Sequence, residues 1–200
     1  MTSIIYRPFN LRYIVREPSG AHGPSLRATH RTAVCNYWYI IRENGTDEHG
    51  PTPNFAARAD LLACGRIEPN KVPAAHAGVK LWEAADTASR VKRPSCATAM
   101  HAVGSLPRGV DRSKWQEIID TFCEEELKSR GMIVDWAIHF LVDEDPVIAV
   151  QPHVHFLITS RQWRSRKNAG TYQPMWLAGK SQVNELADRW YALTGLYPVS

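Results

Sequence analysis

"QPHVHFLITSRQW", residues 151–163, sets two histidines around one valine in an otherwise apolar run. A short apolar run rich in branched side chains reads as a strand buried on both faces. Strand side chains alternate, so His153 and His155 share one face and Val154 takes the other. Upstream, "MIVDWAIHFLV" (132–142) reads as a second strand, and the acidic "DEDP" (143–146) as the loop between them. Pairing the two as an antiparallel hairpin lets His139 reach the face of His153 and His155. Asp135, four residues before His139, shares that face.

Outward from this hairpin, "LRYIVRE" (11–17) reads as a strand closed by Pro18-Ser19-Gly20. A helix is predicted from about Ala28 to Glu43, stopped at Asn44-Gly45. Residues 45–78 are rich in Pro, Gly and His and predict a surface segment, with a short ordered piece near "RADLLAC" (58–64). "GVKLWEAADTASRVKR" (78–93) has helical spacing and ends at Pro94. "ATAMHAVGSLP" (97–107) fits a strand. "DRSKWQEIIDTFCEEELKSRGM" (111–132) is the clearest helix, with Ser113 and Gln116 at capping-box spacing and Trp115, Ile118, Ile119 and Phe122 inward. The last helix, "SQVNELADRWYALTG" (181–195), turns Val183, Leu186, Trp190 and Leu193 inward. The predicted class is α+β: a central antiparallel sheet with helices packed on it, in one domain over residues 1–200.

An apolar fraction of 44%, a charged fraction of 22% and a net charge of +4 fit an ordinary globular protein with a mild basic bias, which suits a polyanionic partner. Cys35, Cys64, Cys96 and Cys123 are scattered without a C-x-x-C pair, which argues against a zinc ribbon or redox motif and for reduced thiols in the cytoplasm. The N-terminus meets arginine too early for a signal peptide, and no window has the apolar length of a membrane span.

Three imidazoles converging from two strands, His139, His153 and His155, make a divalent metal site with positions open to water or substrate. Asp135 could orient a ligand ring or accept a proton. A metal can polarise a phosphoryl oxygen, and the step then needs a nucleophile. "RTAVCNYWYIIREN" (31–44) offers Tyr37 and Tyr39, both of which also suit a core aromatic role. "RQWRSRK" carries Arg161, Arg164, Arg166 and Lys167 around Trp163, the mixture of cations and aromatic face that a single-stranded DNA groove uses.

These stretches resemble the MobA/MobL conjugative relaxases, of the HUH endonucleases. "RGMIVDWAIHF" with "QPHVHFLITSR" is similar to the family's paired histidine strands, "TAVCNYWYIIRE" to its tyrosine helix, and "KLWEAADTASRVKR" to its Leu-Trp-x-Ala-Ala helix. The resemblance implies His139, His153 and His155 as metal ligands, Tyr39 as nucleophile and Asp135 as the family's strand aspartate. It implies reversible, strand-specific nicking of single-stranded DNA at an origin of transfer through a 5′-phosphotyrosine. Mn²⁺ or Mg²⁺ is the expected ion, although imidazole suits Zn²⁺, Co²⁺ or Ni²⁺ on softness grounds. No P-loop is present, so unwinding and export imply relaxosome accessory proteins and a coupling ATPase. On the helix, Val34, Trp38 and Ile41 are predicted to pack on the core, with Tyr39 at the edge of that stripe. A free phenol titrates near 10, so a base is needed, and Asp135 is the nearest candidate in sequence.

The chain departs from the family pattern at Gln151, where Asn is usual, at His101 and Val103, where glutamates are frequent, and at Gly65-Arg66, where an acid is expected. The departures keep open a DNA-binding protein of this fold that does not cut. A rolling-circle replication initiator, using Tyr172 or Tyr191, is a third reading.

Overall fold

The computed structural model describes residues 7–17, 28, 30–70, 72–93, 96–141, 150–162, 170–173, 176 and 179–199. In chain order the elements are β1 (Phe9–Ile14), α1 (Ala33–Ile41), the short pair β2 (Thr46–Asp47) and β3 (Gly50–Pro51), β4 (Leu61–Ile67), α2 (Lys80–Ser89), β5 (Ala99–Ser105), α3 (Arg112–Phe122), β6 (Val134–His139), β7 (His153–Thr159), β8 (Arg161–Gln162), β9 (Thr171–Tyr172) and α4 (Lys180–Thr194). Five strands form one antiparallel sheet in the order β1-β5-β7-β6-β4, and the helices pack on both of its faces. The α+β class expected from the sequence is the one found.

Period-2 alternation sorts the sheet into two unlike faces. Leu11, Ala102, Trp136 and Phe156 point towards α3 and α4, where they meet Ile119, Phe122 and Trp190. The Trp190 indole packs against Gly104; a Cβ there would come within 2.5 Å of it, so only glycine allows the approach. The opposite face carries α1 and α2 over Ala99, Ala137 and Leu157. It also carries every polar side chain of the histidine strands.

Three boundaries differ from expectation for local reasons. The first helix begins at Ala33, not Ala28, because the Thr32 hydroxyl caps it by accepting from the Cys35 N–H at 3.0 Å. The third helix is capped by Asp111, whose carboxylate accepts from the Ser113 N–H, so the Ser113–Gln116 capping box is not used. Downstream its path continues as a π turn over Cys123–Leu127 before Gly131 ends it at φ 84°. Finally, residues 45–78 hold more order than expected: β4 is a full edge strand, though without alternation, since its residues are nearly all half-buried. The DEDP loop lies outside the described residues.

Candidate active site

The β6–β7 hairpin pairs His139 directly with His153 and Ala137 with His155. His139, His153 and His155 therefore converge on the α1 side of the sheet, and one ring nitrogen from each lies within 4.8 Å of the others. His153 donates from Nδ1 to the Gln151 carbonyl at 2.9 Å, which turns its Nε2 lone pair inward. His139 donates from Nε2 to the Ile40 carbonyl at 2.7 Å, which leaves Nδ1 as its acceptor. Nε2 of His155 is buried with no hydrogen-bond partner among the described residues. An orphaned buried acceptor beside two other inward lone pairs fits a cation with imidazole ligands.

Burial holds all three rings neutral. It pushes His139 down to about 4, against a raising hydrogen bond to the Ile40 carbonyl. It also lowers His153 and, further, His155, whose other histidine neighbours add to the effect. Neutral imidazole is the ligand form. Gln151, the departure from the family's Asn, anchors this arrangement: its side chain donates to the Leu106 carbonyl at 2.6 Å and accepts from Arg108.

Helix α1 lays Tyr39 across the cluster. Its ring centroid lies 5.3 Å from that of His155, 6.0 Å from His101 and 6.1 Å from His139. Of the predicted stripe, Val34 joins the core and Trp38 and Ile41 pack half-buried against it, and the buried side of the helix extends beyond that stripe. Ala33, Val34, Asn36 and Ile40 are buried, while Trp38 is half-buried and leans on Gly45, where a Cβ would meet the indole at 2.3 Å. Tyr37 points elsewhere, into a cleft shared with Arg66, Gly78 and Asp135.

Arg42 ends α1 in the left-handed region at φ 55°, a conformation rare outside glycine. Its guanidinium is bidentate to Asp60 at 2.6 and 2.8 Å, donates to the Tyr39 carbonyl and to His139 Nδ1, and sits 4.7 Å over the Tyr39 ring. A cation at His139 Nδ1 would displace that last N–H. Neither Arg42 nor Asp60 stood out in the sequence; both arrive through tertiary contact.

Asp135 does share the histidine face, as strand parity requires, but it does not reach the tyrosine. Four residues of strand put it about 13 Å along β6 from His139. Its oxygens are taken by Arg66 at 2.6 and 2.6 Å and by the Trp82 indole N–H at 2.6 Å. The base role expected for Asp135 is therefore corrected to a structural ion pair that ties β4 and α2 to β6. Outside the triad, the imidazole nearest Tyr39 among the described residues is His30, 5.2 Å between centroids, held neutral by burial against the pull of Asp47.

Arg161 is also corrected as a DNA contact. It is buried, donates to the Ala88 carbonyl and lies over the Tyr172 ring. Trp163, Arg164, Arg166 and Lys167 lie outside the described residues. Sequence reasoning missed a cleft of about 300 Å³ beside the tyrosine, lined by exposed Arg7, Asn10 and Arg12 together with His30, Tyr39 and His155. Polar residues at alternate positions of β1 were the available signal for it.

The MobA/MobL family matches residues 31–188, from the start of α1 into α4. The chain belongs to the MobA/MobL family. This places it among the mobilisation relaxases in the general sense. A chain solved in work on the molecular basis of vancomycin resistance transfer in Staphylococcus aureus shares the fold of this MobA/MobL protein, with a TM-score of 0.67 at 19% identity over 96% of this chain and 91% of that one. Among curated proteins no match is found. No helix of the described residues is long and apolar enough to cross a membrane.

Proposed function

We propose that this MobA/MobL protein nicks one strand of DNA at an origin of transfer, with Tyr39 as nucleophile and a divalent cation, Mn²⁺ or Mg²⁺, held by His139, His153 and His155. The observation that carries the reading is the tyrosine ring lying edge-on against the histidine rings, 5.3 Å from His155. A bound cation would supply polarisation of a phosphoryl oxygen. The Tyr39 oxygen attacks phosphorus and forms a 5′-phosphotyrosine. The phenol proton passes to His30, a neutral imidazole whose ring centroid lies 5.2 Å from that of Tyr39. The 3′ oxygen leaves with the bonding pair and takes a proton from water. Because bond energy is kept in the phosphotyrosine, attack by the free 3′-hydroxyl reverses the step.

The single strand crosses the sheet along the cleft beside β1, where Arg7 and Arg12 meet its phosphates. The stretch carrying Trp163, Arg164, Arg166 and Lys167 is a further DNA contact in this reading, on its mixture of cations and an aromatic side chain. Residues 1–200 act as one relaxase domain in the cytoplasm, with accessory proteins and a coupling ATPase supplying unwinding and export.

A DNA-binding protein that does not cut is the alternative suggested by His101, Val103 and Gly65. The rolling-circle reading loses support. Tyr191 packs against the core on the opposite face of the sheet, and Tyr172 lies in the β8–β9 hairpin beyond the far end of β7. Incubation with a random-sequence pool of single-stranded DNA and Mn²⁺ separates the first two. The proposal requires an SDS-stable adduct that EDTA prevents; DNA binding with no adduct under any metal would mean a binding protein only.

A further inference from the structure

We infer that His101 and Asn36 fix the ring tautomer of His155, so that its Nε2 lone pair is held towards the triad; they are positioning residues for the metal site proposed above, on which this inference rests. None of the three side chains reaches solvent to any useful extent, so each hydrogen bond must be accounted for within the protein.

The chain of bonds has one consistent direction. Asn36 donates from Nδ2 to two backbone carbonyls, His30 at 3.0 Å and Thr32 at 2.7 Å. Both amide protons are thereby used, and two carbonyl acceptors settle which end of the amide is nitrogen. Its Oδ1 can only accept, and it faces His101 Nδ1 at 2.8 Å. His101 therefore carries its proton on Nδ1. A neutral imidazole has one N–H, so His101 Nε2 is an acceptor. It faces His155 Nδ1 at 2.9 Å, which must be the donor. The remaining nitrogen of His155, Nε2, is then bare, and it is buried with no hydrogen-bond partner among the described residues.

The polarity of the site is thus set from the backbone that leads into α1, through three side chains, to a ligand atom on β7. Strand register makes the last link possible, because Val103 of β5 lies opposite His155 and places His101 one pleat away on the same face. Asn36 and Tyr39 are three residues apart on α1 and so share a face of the helix. The relay therefore references the ligand to the same helix that carries the nucleophile. A side chain that orients a ligand imidazole is typically worth 10–100-fold in metal affinity.

The direct test is long-range ¹H–¹⁵N correlation of the histidine rings in the metal-free, full-length protein, combined with Mn²⁺ titration. The wild-type protein should show His155 protonated at Nδ1 only. His101→Phe keeps the ring but not the acceptor; it should release His155 into a tautomer mixture and weaken Mn²⁺ binding 10–100-fold. His101→Gln restores an acceptor for His155 and should bind Mn²⁺ within about threefold of wild type. A wild-type His155 protonated at Nε2, or full Mn²⁺ affinity in His101→Phe, overturns the inference. If the wild-type chain has the Nδ1–H tautomer yet binds no Mn²⁺, the metal reading falls and takes the relay's role with it, while the tautomer assignment stands. The spectrum of the unmodified protein decides the tautomer even if a variant does not fold.

Discussion

Tyr39 and His155 meet edge to face, their ring planes 84° apart, across the seam between α1 and β7. A side chain on a helix and one on a strand are brought together only by tertiary packing, so the contact depends on how α1 is held. Tyr39→Phe should abolish the covalent DNA adduct and leave single-strand affinity within about twofold, since only the hydroxyl is removed. Tyr37→Phe should keep the adduct, because Tyr37 lines a different cleft. Gel electrophoresis under denaturing conditions reads both, and the reverse pattern would move the nucleophile to Tyr37.

The Arg42–Asp60 pair anchors the end of α1. The Arg42 side chain is 4% exposed and that of Asp60 19%. Removing the acid strands a nearly buried guanidinium, so Asp60→Asn should cost roughly 2–4 kcal/mol of stability. Urea unfolding checks this; a loss below about 0.5 kcal/mol would show that the pair does not hold the helix.

At the other end of α1, Asp86 accepts from the Ala33 and Val34 N–H groups at 2.9 and 3.0 Å. Asp86→Ala should cost about 1–2 kcal/mol, as removal of a helix cap does. Burial pushes the Asp86 carboxyl up to about 6, despite those two N–H groups, and Glu48 and Asp47 add to the rise. A carboxyl raised on folding takes up a proton between its unfolded value, near 4, and its folded one. Its contribution is therefore fully present below about pH 4 and declines as pH rises through about 6. Melting temperatures of wild type and Asp86→Asn across that range should differ in slope, the variant being flatter; parallel curves would contradict the shift.

Exposed Arg7 and Arg12 border the cleft beside the tyrosine. Arg7→Ala with Arg12→Ala should weaken single-stranded DNA binding and lower the salt slope by about 0.7 for each phosphate no longer neutralised. Arg161→Ala should instead lower stability and leave the slope unchanged, since that guanidinium is turned inward to the Ala88 carbonyl. Fluorescence anisotropy at several salt concentrations distinguishes the two.

Strand parity made the histidine face legible, because His153 and His155 cannot part company without a bulge and a paired strand brings His139 opposite. Asp135 shows the limit of that logic. Parity put it on the right face, but its partner Arg66 comes from β4, and "LLACGRI" has no alternation by which an edge strand could be recognised. The full buried side of α1 was illegible for a similar reason. Trp38 packs against the core as its spacing suggests, yet a fully buried position also goes to Asn36, whose amide answers the backbone of residues 30 and 32 and the ring of His101. Hydrophobic period cannot register a buried polar residue whose partners lie on other segments.

The most direct test of the central claim is peptide mapping of the covalent adduct by mass spectrometry, after digestion of the protein trapped on single-stranded DNA with Mn²⁺. A phosphonucleotide on Tyr39 is the predicted result. The same modification on Tyr37, Tyr172 or Tyr191 with Tyr39 unmodified would contradict it.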